Sequence, residues 1–478
     1  MPGTPLWLGI HCPALSLQAL QRVHMEAIDT RRAVVTYELQ RGSRRIIDVN
    51  RAARQCGVRS GQRLSDALAL VPDLQCLERK PSLERQLNED IALTAYRYSN
   101  QLAIVPDGVV LEIGGSLGMY RHRPERLCAA LHEDLNALGV VLKQGMAPNP
   151  AAAMLFAHAG ARARDYPGLQ RALTRWPLSR LPLPADDRRR LAGLGLERLG
   201  QVVALPRFEL RRRLGPAVPE IIDQLLGKTP LPLAYWQPPE HFAEDFELPA
   251  PTRHSEALLF AFRRVLERLE RWLRIRDRLL SALSVSLLPE QREEQIQCHL
   301  GLSRPGFCAD HLFRLLCLKL EAVKLEHEIV ALHVQAHSQP CRQRPQGDLL
   351  DAPSNGEDWP GLLDRLRARL GDDQLCGLAA CADHRPENAW RWTRPGAPGP
   401  IPAGMPSARP TWLLPAPRPC RVEQLCLLEG PERIETGWWD GADCRRDYWI
   451  ARDHHGNRLW VFREYKPRSG WFVHGLFG

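Results

Sequence analysis

Strand-like and helix-like patterns interleave along the first ~170 residues of this 478-residue chain, and that alternation restricts this part to an α/β or α+β fold. LWLGI (6–10) reads as a short buried strand. AVVTYEL (33–39) and RIIDV (45–49) read as two more. Ala103–Val105 and Val109–Ile113 flank Pro106-Asp107-Gly108 as a further pair, and Val140–Gln144 follows. Helical spacing covers 14–27, 50–57, 64–70, 82–98 and an Ala-rich stretch at 150–159.

The pattern then changes. Residues 177–230 are helical, punctuated by Pro and Gly, with eight Arg and two Glu between 188 and 213. A Pro-rich joint (231–240) leads to a long amphipathic helix at 254–275, strands at 281–288 and 296–302, a helix at 309–322 and a strand at 328–336. That is a second α+β domain. One more helix is expected at 360–370. Residues 395–419 hold nine Pro and read as a polyproline linker. From 431 onward the chain reads as a β-meander, and nine of the thirteen Trp lie between 359 and 478.

Composition excludes several classes. No apolar run approaches the ~18 residues of a membrane span, and MPGTPLWLGIHCPALSL lacks the basic start of a secretory signal. The thirteen Cys include no Cys-x-x-Cys, which removes a zinc ribbon and a thioredoxin motif, and an odd count argues against a disulfide framework. A reducing cytoplasmic setting is expected. The net charge is +9, and 58 of the 64 basic residues are Arg. Guanidinium groups grip phosphates and stack on bases, which leans towards nucleic acid, although a compositional bias of the source would give the same excess.

Four strings sharpen the reading: NRAARQCGVRSGQRLSDALALVPD (50–73), RYSNQLAIVPDGVVLEIGGS (97–116), GMAPNPAAAMLFA (145–157) and LAGLGLERLGQVVALP (191–206). In this order and spacing, over about residues 6–340, the chain resembles the Y-family DNA polymerases of the DinB/UmuC type, most of all their divergent ImuB branch. The tail, with PERIETGWWDG (431–441), is similar to the C-terminal extension of that branch. The resemblance implies a multidomain α+β right hand. Palm and fingers would occupy 1–175 (fingers about 31–75), and a helical thumb with a helix–hairpin–helix 176–235. A little-finger-like domain would follow at 241–340, a helix and Pro-rich linker at 341–430, and a Trp-rich β module at 431–478.

Nucleotidyl transfer by two Mg²⁺ needs clustered carboxylates. The resemblance puts the first-strand Asp of the family on Ile10 or His11 and the Asp-Glu pair on Asp107 and Gly108. The palm Lys falls on Met154. One carboxylate of three remains. His11 suits zinc better than magnesium, but alone it reads as a packing residue. Pro-Asp-Gly is also a common turn, and the turn reading of Asp107 is favoured. The expectation is therefore no catalysis, no metal and no cofactor.

The DNA-binding candidates are Arg54, which matches the fingers Arg of the family, then Gly195, Arg198 and Gly200 of the hairpin, then Arg211, Arg212 and Arg213. For Arg54, contact with DNA phosphate and pairing with a fingers carboxylate both stay open. In the 254–275 helix, Arg263 and Arg274 have the spacing to pair with Glu267 and Glu270. Gln424-Leu425-Cys426-Leu427-Leu428 is similar to the pentapeptide by which bacterial replication proteins bind the sliding clamp, and the rival is the first strand of the tail's own core. His454 and His455 are read as a hairpin turn, Cys376, Cys381 and His384 as too few ligands for a metal, and one of Trp438 and Trp439 as core.

The function expected is a non-catalytic homologue that binds damaged or primer–template DNA and scaffolds an error-prone translesion complex. The resemblance implies three protein partners: a RecA-like accessory protein of the ImuA type, a C-family DNA polymerase subunit and the sliding clamp. No membrane is expected. The alternatives are an active translesion polymerase with atypical metal ligands and a general DNA-repair binding protein.

Overall fold

The computed structural model describes residues 5–23, 28–29, 31–290, 295–341, 359–395, 408–466 and 469–478. The chain forms two compact units that divide at residue 350. The first unit begins with β1 (Trp7–His11) and α1 (Leu15–Val23). Next come β2 (Val34–Gln40), β3 (Ser43–Val49), α2 (Arg51–Gln55), α3 (Leu64–Leu70) and β4 (Gln75–Glu78). Then follow α4 (Pro81–Ala95), β5 (Leu102–Val105), β6 (Gly108–Glu112), α5 (Pro124–Asn136), β7 (Lys143–Ala147) and α6 (Pro150–Ala159). The expected extension of the first helix over 24–27 lies outside the described residues.

Strands β5-β6-β1-β7 make one sheet in that order. Alternation along β1 decides its two faces. Leu6, Leu8, Ile10 and Cys12 enter a core with α1, α4 and α5, while Trp7 faces Phe156 and Ala153 of α6. A small second sheet, β3-β2-β4, carries α2 and α3 on its own core of Val35, Ile46, Val49, Ala53, Val58 and Leu64. Asn50 caps α2, its Oδ1 accepting from Ala53 N at 2.8 Å.

A helical layer follows: α7 (Tyr166–Thr174), α8 (Ala185–Gly193), α9 (Leu199–Val203), α10 (Arg207–Leu214) and α11 (Ala217–Leu225). It shares one core with the α6 face of the sheet. The joint then runs along the sheet edge, where Trp236 N donates to Leu102 O at 2.8 Å.

The last layer of this unit has β8 (Phe242–Thr252), α12 (Ser255–Arg276), β9 (Arg278–Pro289), β10 (Ile296–Gly306), α13 (Ala309–Glu321) and β11 (Ile329–Pro340). Its antiparallel sheet has the order β10-β9-β11-β8. Helix α12 turns charge inward as well as apolar surface. Arg268 is buried against Asp90 and Glu89 of α4 and Glu244 of β8. Burial also lowers Arg264, to about 10. Arg268 and Arg271 tie α12 to α4 through Asp90. Arg274 pairs with Glu270 as its spacing predicts, but Arg263 lies over the Phe313 ring at 4.8 Å and has no such partner in Glu267.

The second unit contains α14 (Trp359–Leu370), a hairpin of β12 (Gly377–Ala380) and β13 (Trp390–Thr393), and a five-stranded sheet. The sheet strands are β14 (Trp412–Pro419), β15 (Cys426–Thr436), β16 (Cys444–Arg452), β17 (Arg458–Lys466) and β18 (Gly470–Leu476), in the order β14-β18-β17-β16-β15. The meander is present, but it starts earlier than expected. Residues 412–419, read from their Pro as linker, form an edge strand, and 426–436 form the other edge. Residues 396–407 of the expected linker lie outside the described residues. Trp438 and Trp439 sit in the turn before β16, 78% and 60% exposed, so neither is core. His454 and His455 do occupy a hairpin turn, closed by Asp453 N donating to Asn457 O at 3.1 Å. Among the described residues, no helix is long and apolar enough to cross a membrane.

Candidate functional site

The functional candidates of the first sheet gather where β1 ends. β1 and β6 are antiparallel, with His11 opposite Gly108, so the β5–β6 turn places Asp107 beside His11. Cys12 N donates to Asp107 O at 2.9 Å and closes that end. Helix α6 lies directly on the strands because Gly9 and Gly145 have no side chain there. A Cβ on Gly9 would fall well inside 3.0 Å of Ala153 O, and one on Gly145 well inside 3.0 Å of Ala157 N. That close approach carries His158, in the last turn of α6, over the end of β1.

Three side chains from three elements therefore converge. His11 Nδ1 is 3.0 Å from Asp107 Oδ2, and His158 Nε2 is 3.4 Å from the same oxygen. The two imidazole centroids are 3.9 Å apart. His11 Nδ1 is buried beside that oxygen. Burial opposes ionisation of Asp107, but His11 and His158 outweigh it and hold its carboxyl below the ordinary value. Burial and the neighbouring His11 push His158 below the ordinary imidazole value. The adjacent Cys12 thiol, on the opposite face, is pushed up to about 12, mainly by burial.

This corrects the reading of His11 as a packing residue. Asp107 does form the turn, and its carboxylate is also held by two histidines. Ile10 is a core residue, 2% exposed, while His11 stands opposite Gly108. Met154 lines a cavity of about 1290 Å³ beside Asp107 and His158. Gly108 is more than a lost carboxylate. A Cβ there would fall well inside 3.0 Å of the Ile10 carbonyl oxygen, so no glutamate fits this backbone. One carboxylate and two imidazoles do not fit a pair of magnesium ions, which require clustered oxygen ligands. His158 was not singled out in the sequence. Its only signal there is a position one helical turn after Met154.

The DNA-binding candidates separate into groups. Arg54 is exposed, and its Nη2 donates to Val49 O at 3.3 Å. No carboxylate pairs with it among the described residues. Gly195 adopts φ 73°, as the hairpin turn needs, but its N–H donates to Ala192 O, and those of Leu194 and Leu196 donate to carbonyls of α8. The hairpin N–H groups are thus satisfied internally rather than turned to phosphate. Gly200 is a packing position, since a Cβ there would lie 2.6 Å from Thr174 O. Arg211 pairs with Glu220, and Arg212 and Arg213 both pair with Glu209, all at exposed positions.

Arg198 lines a groove with Arg175, Arg188 and Arg189. Arg189 pairs with Asp186, whereas Arg175, Arg188 and Arg198 have no carboxylate partner among the described residues.

In the second unit, Gln424 ends a short 3₁₀ turn and Leu427 lies in β15 opposite Ala451. Leu427 and Leu428 are 40% and 41% exposed, while Leu425 packs against Ala451, Leu459 and Val461. The pentapeptide therefore spans a 3₁₀ turn and the start of the β15 edge strand, with Leu425 half-buried against the core and Leu427 and Leu428 outward. Among the described residues, Cys376, Cys381 and His384 form no metal-like cluster.

The sequence model of the impB/mucB/samB family matches residues 16–158. Among solved structures, the chain is similar to DinB from Sulfolobus solfataricus, at 16% identity and a TM-score of 0.43, covering 70% of this chain and 98% of that one. It is similar to an insertion ternary complex of Dbh DNA polymerase at the same identity and TM-score, covering 69% and 98%. Protein ImuB from Caulobacter vibrioides (strain NA1000 / CB15N) is 30% identical over 462 residues, 88% of this chain and the whole of that protein. The chain belongs to the ImuB family of Y-family DNA polymerase homologues.

Proposed function

We propose that this chain is a non-catalytic member of its family that binds damaged or primer–template DNA and scaffolds an error-prone translesion complex. The observation that carries this reading is the end of β1. Where the resemblance would put the metal ligands there is one carboxylate between two imidazoles, and a Cβ at Gly108 would clash with the Ile10 carbonyl. The same family resemblance supplies the expected partners: a RecA-like accessory protein of the ImuA type, a C-family polymerase subunit and the sliding clamp.

DNA is gripped by side chains in this account. Arg175, Arg188 and Arg198 line one groove and have no carboxylate partner among the described residues, so their charge is available to phosphates. Binding is then sequence-tolerant and salt-dependent. The test is fluorescence anisotropy with a primer–template duplex across a salt series. Replacing the three arginines together with Ala should weaken binding at least tenfold and flatten the log–log salt slope by about 2–3. Wild-type affinity and slope in a folded triple variant would refute the reading.

A further inference from the structure

We propose that His11, Asp107 and His158 bind a single divalent transition-metal ion of the zinc class, in place of the magnesium pair of active Y-family polymerases. The donor atoms of all three lie within 4.8 Å of one another. A tetrahedral ion with ligand bonds of about 2.0–2.1 Å holds its donors about 3.4 Å apart. The observed separations from Asp107 Oδ2 are 3.0 and 3.4 Å.

The arrangement is preorganised by backbone. His11 is fixed in a strand paired on both sides, Asp107 in the β5–β6 turn, and His158 on a helix that two glycines allow onto the sheet. His11 Nδ1 is buried and faces Asp107 Oδ2 at 3.0 Å, so an ion seated between the two would take the place of that direct contact. Imidazole nitrogens select zinc, cobalt or nickel over magnesium. Three protein ligands leave a fourth position for an oxygen from the adjoining cavity, which Lys143, Arg180 and Arg188 also line.

The test uses the full-length chain, reduced and stripped of metal with a chelator, and titrated with Co²⁺ as the spectroscopic probe. The expected result is about one Co²⁺ per chain, with visible ligand-field absorption and no thiolate charge-transfer band. Zn²⁺ should displace it, and a large excess of Mg²⁺ should not. His158→Ala, at a half-exposed position, and Asp107→Asn should each weaken binding at least about tenfold while keeping the wild-type far-UV spectrum and melting curve. Absence of the band overturns the proposal. So does a band with thiolate character, or one that survives in both folded variants. DNA affinity of His158→Ala, measured separately, should stay at the wild-type level, so failure of metal binding and failure of the DNA-binding reading appear in different assays.

Discussion

Replacing Asp90 with Asn should destabilise the first unit by about 3–5 kcal/mol, because it removes an anion shared by three arginines of a buried cluster. The Asp90 side chain is 4% exposed and lies 2.5 Å from Arg268, 2.8 Å from Arg22 and 3.7 Å from Arg271. Unit charges 4 Å apart attract by about 4 kcal/mol at an effective dielectric of about 20. Without Asp90, Arg268 keeps Glu89 and Glu244, but Arg22 loses its anion. Arg268→Met should cost less, since Asp90 retains Arg22 and Arg271. The double variant Asp90→Asn/Arg268→Met should cost less than the two single changes added together, because each single change already breaks the shared Asp90–Arg268 pair.

The pH dependence has a definite sign. Burial opposes ionisation of Asp90, but Arg268, Arg22 and Arg271 outweigh it and hold its carboxyl far below the usual range. The stabilisation is therefore full above the unfolded aspartate value of about 3.9, and it is lost as pH falls below that towards the folded value. Urea unfolding should show the whole deficit of Asp90→Asn at pH 7 and a smaller one below pH 4. A variant within about 0.5 kcal/mol of wild type at pH 7 would refute the argument that this cluster ties α12 to α4.

The other expectations are briefer. Gly108→Glu should fail to restore primer extension and should cost about 3–4 kcal/mol by urea midpoint, because the new Cβ meets the Ile10 carbonyl of the paired strand; a stable, active variant would show that the backbone yields. Ala at Gln424, Leu427 and Leu428 together should abolish clamp binding in a surface-plasmon assay without loss of protease resistance, since all three are exposed. Retained clamp affinity in that folded variant removes the motif, whereas Leu425→Ala should loosen the sheet itself.

Much of the fold was legible where burial is one-sided or complete. The apolar runs of β1, β5 and β6 and the Asn149-Pro150 start of α6 could be read directly. Two strands were missed for a common reason. β8 (FAEDFELPAPT) and β14 (WLLPAPRP) carry Pro and polar residues, and both are edge strands, where a missing N–H faces away from the ladder. Parallel pairing of β4 with β2 was equally invisible, because its four residues show no alternation of their own. At the site, the loss of carboxylates was readable residue by residue. The convergence of His158 with His11 was not, since it depends on how closely a helix 147 positions later lies on β1. The paired state of Arg211–Arg213 was hidden too, because Glu209 and Glu220 look like ordinary surface residues in the sequence.

Primer extension tests the central claim most directly. Purified full-length protein, shown by anisotropy to bind the primer–template duplex, should add no nucleotide above background with Mg²⁺ or Mn²⁺. Incorporation that is robust in wild type and lost in Asp107→Ala would contradict the account, because it would place a working metal centre at the end of β1.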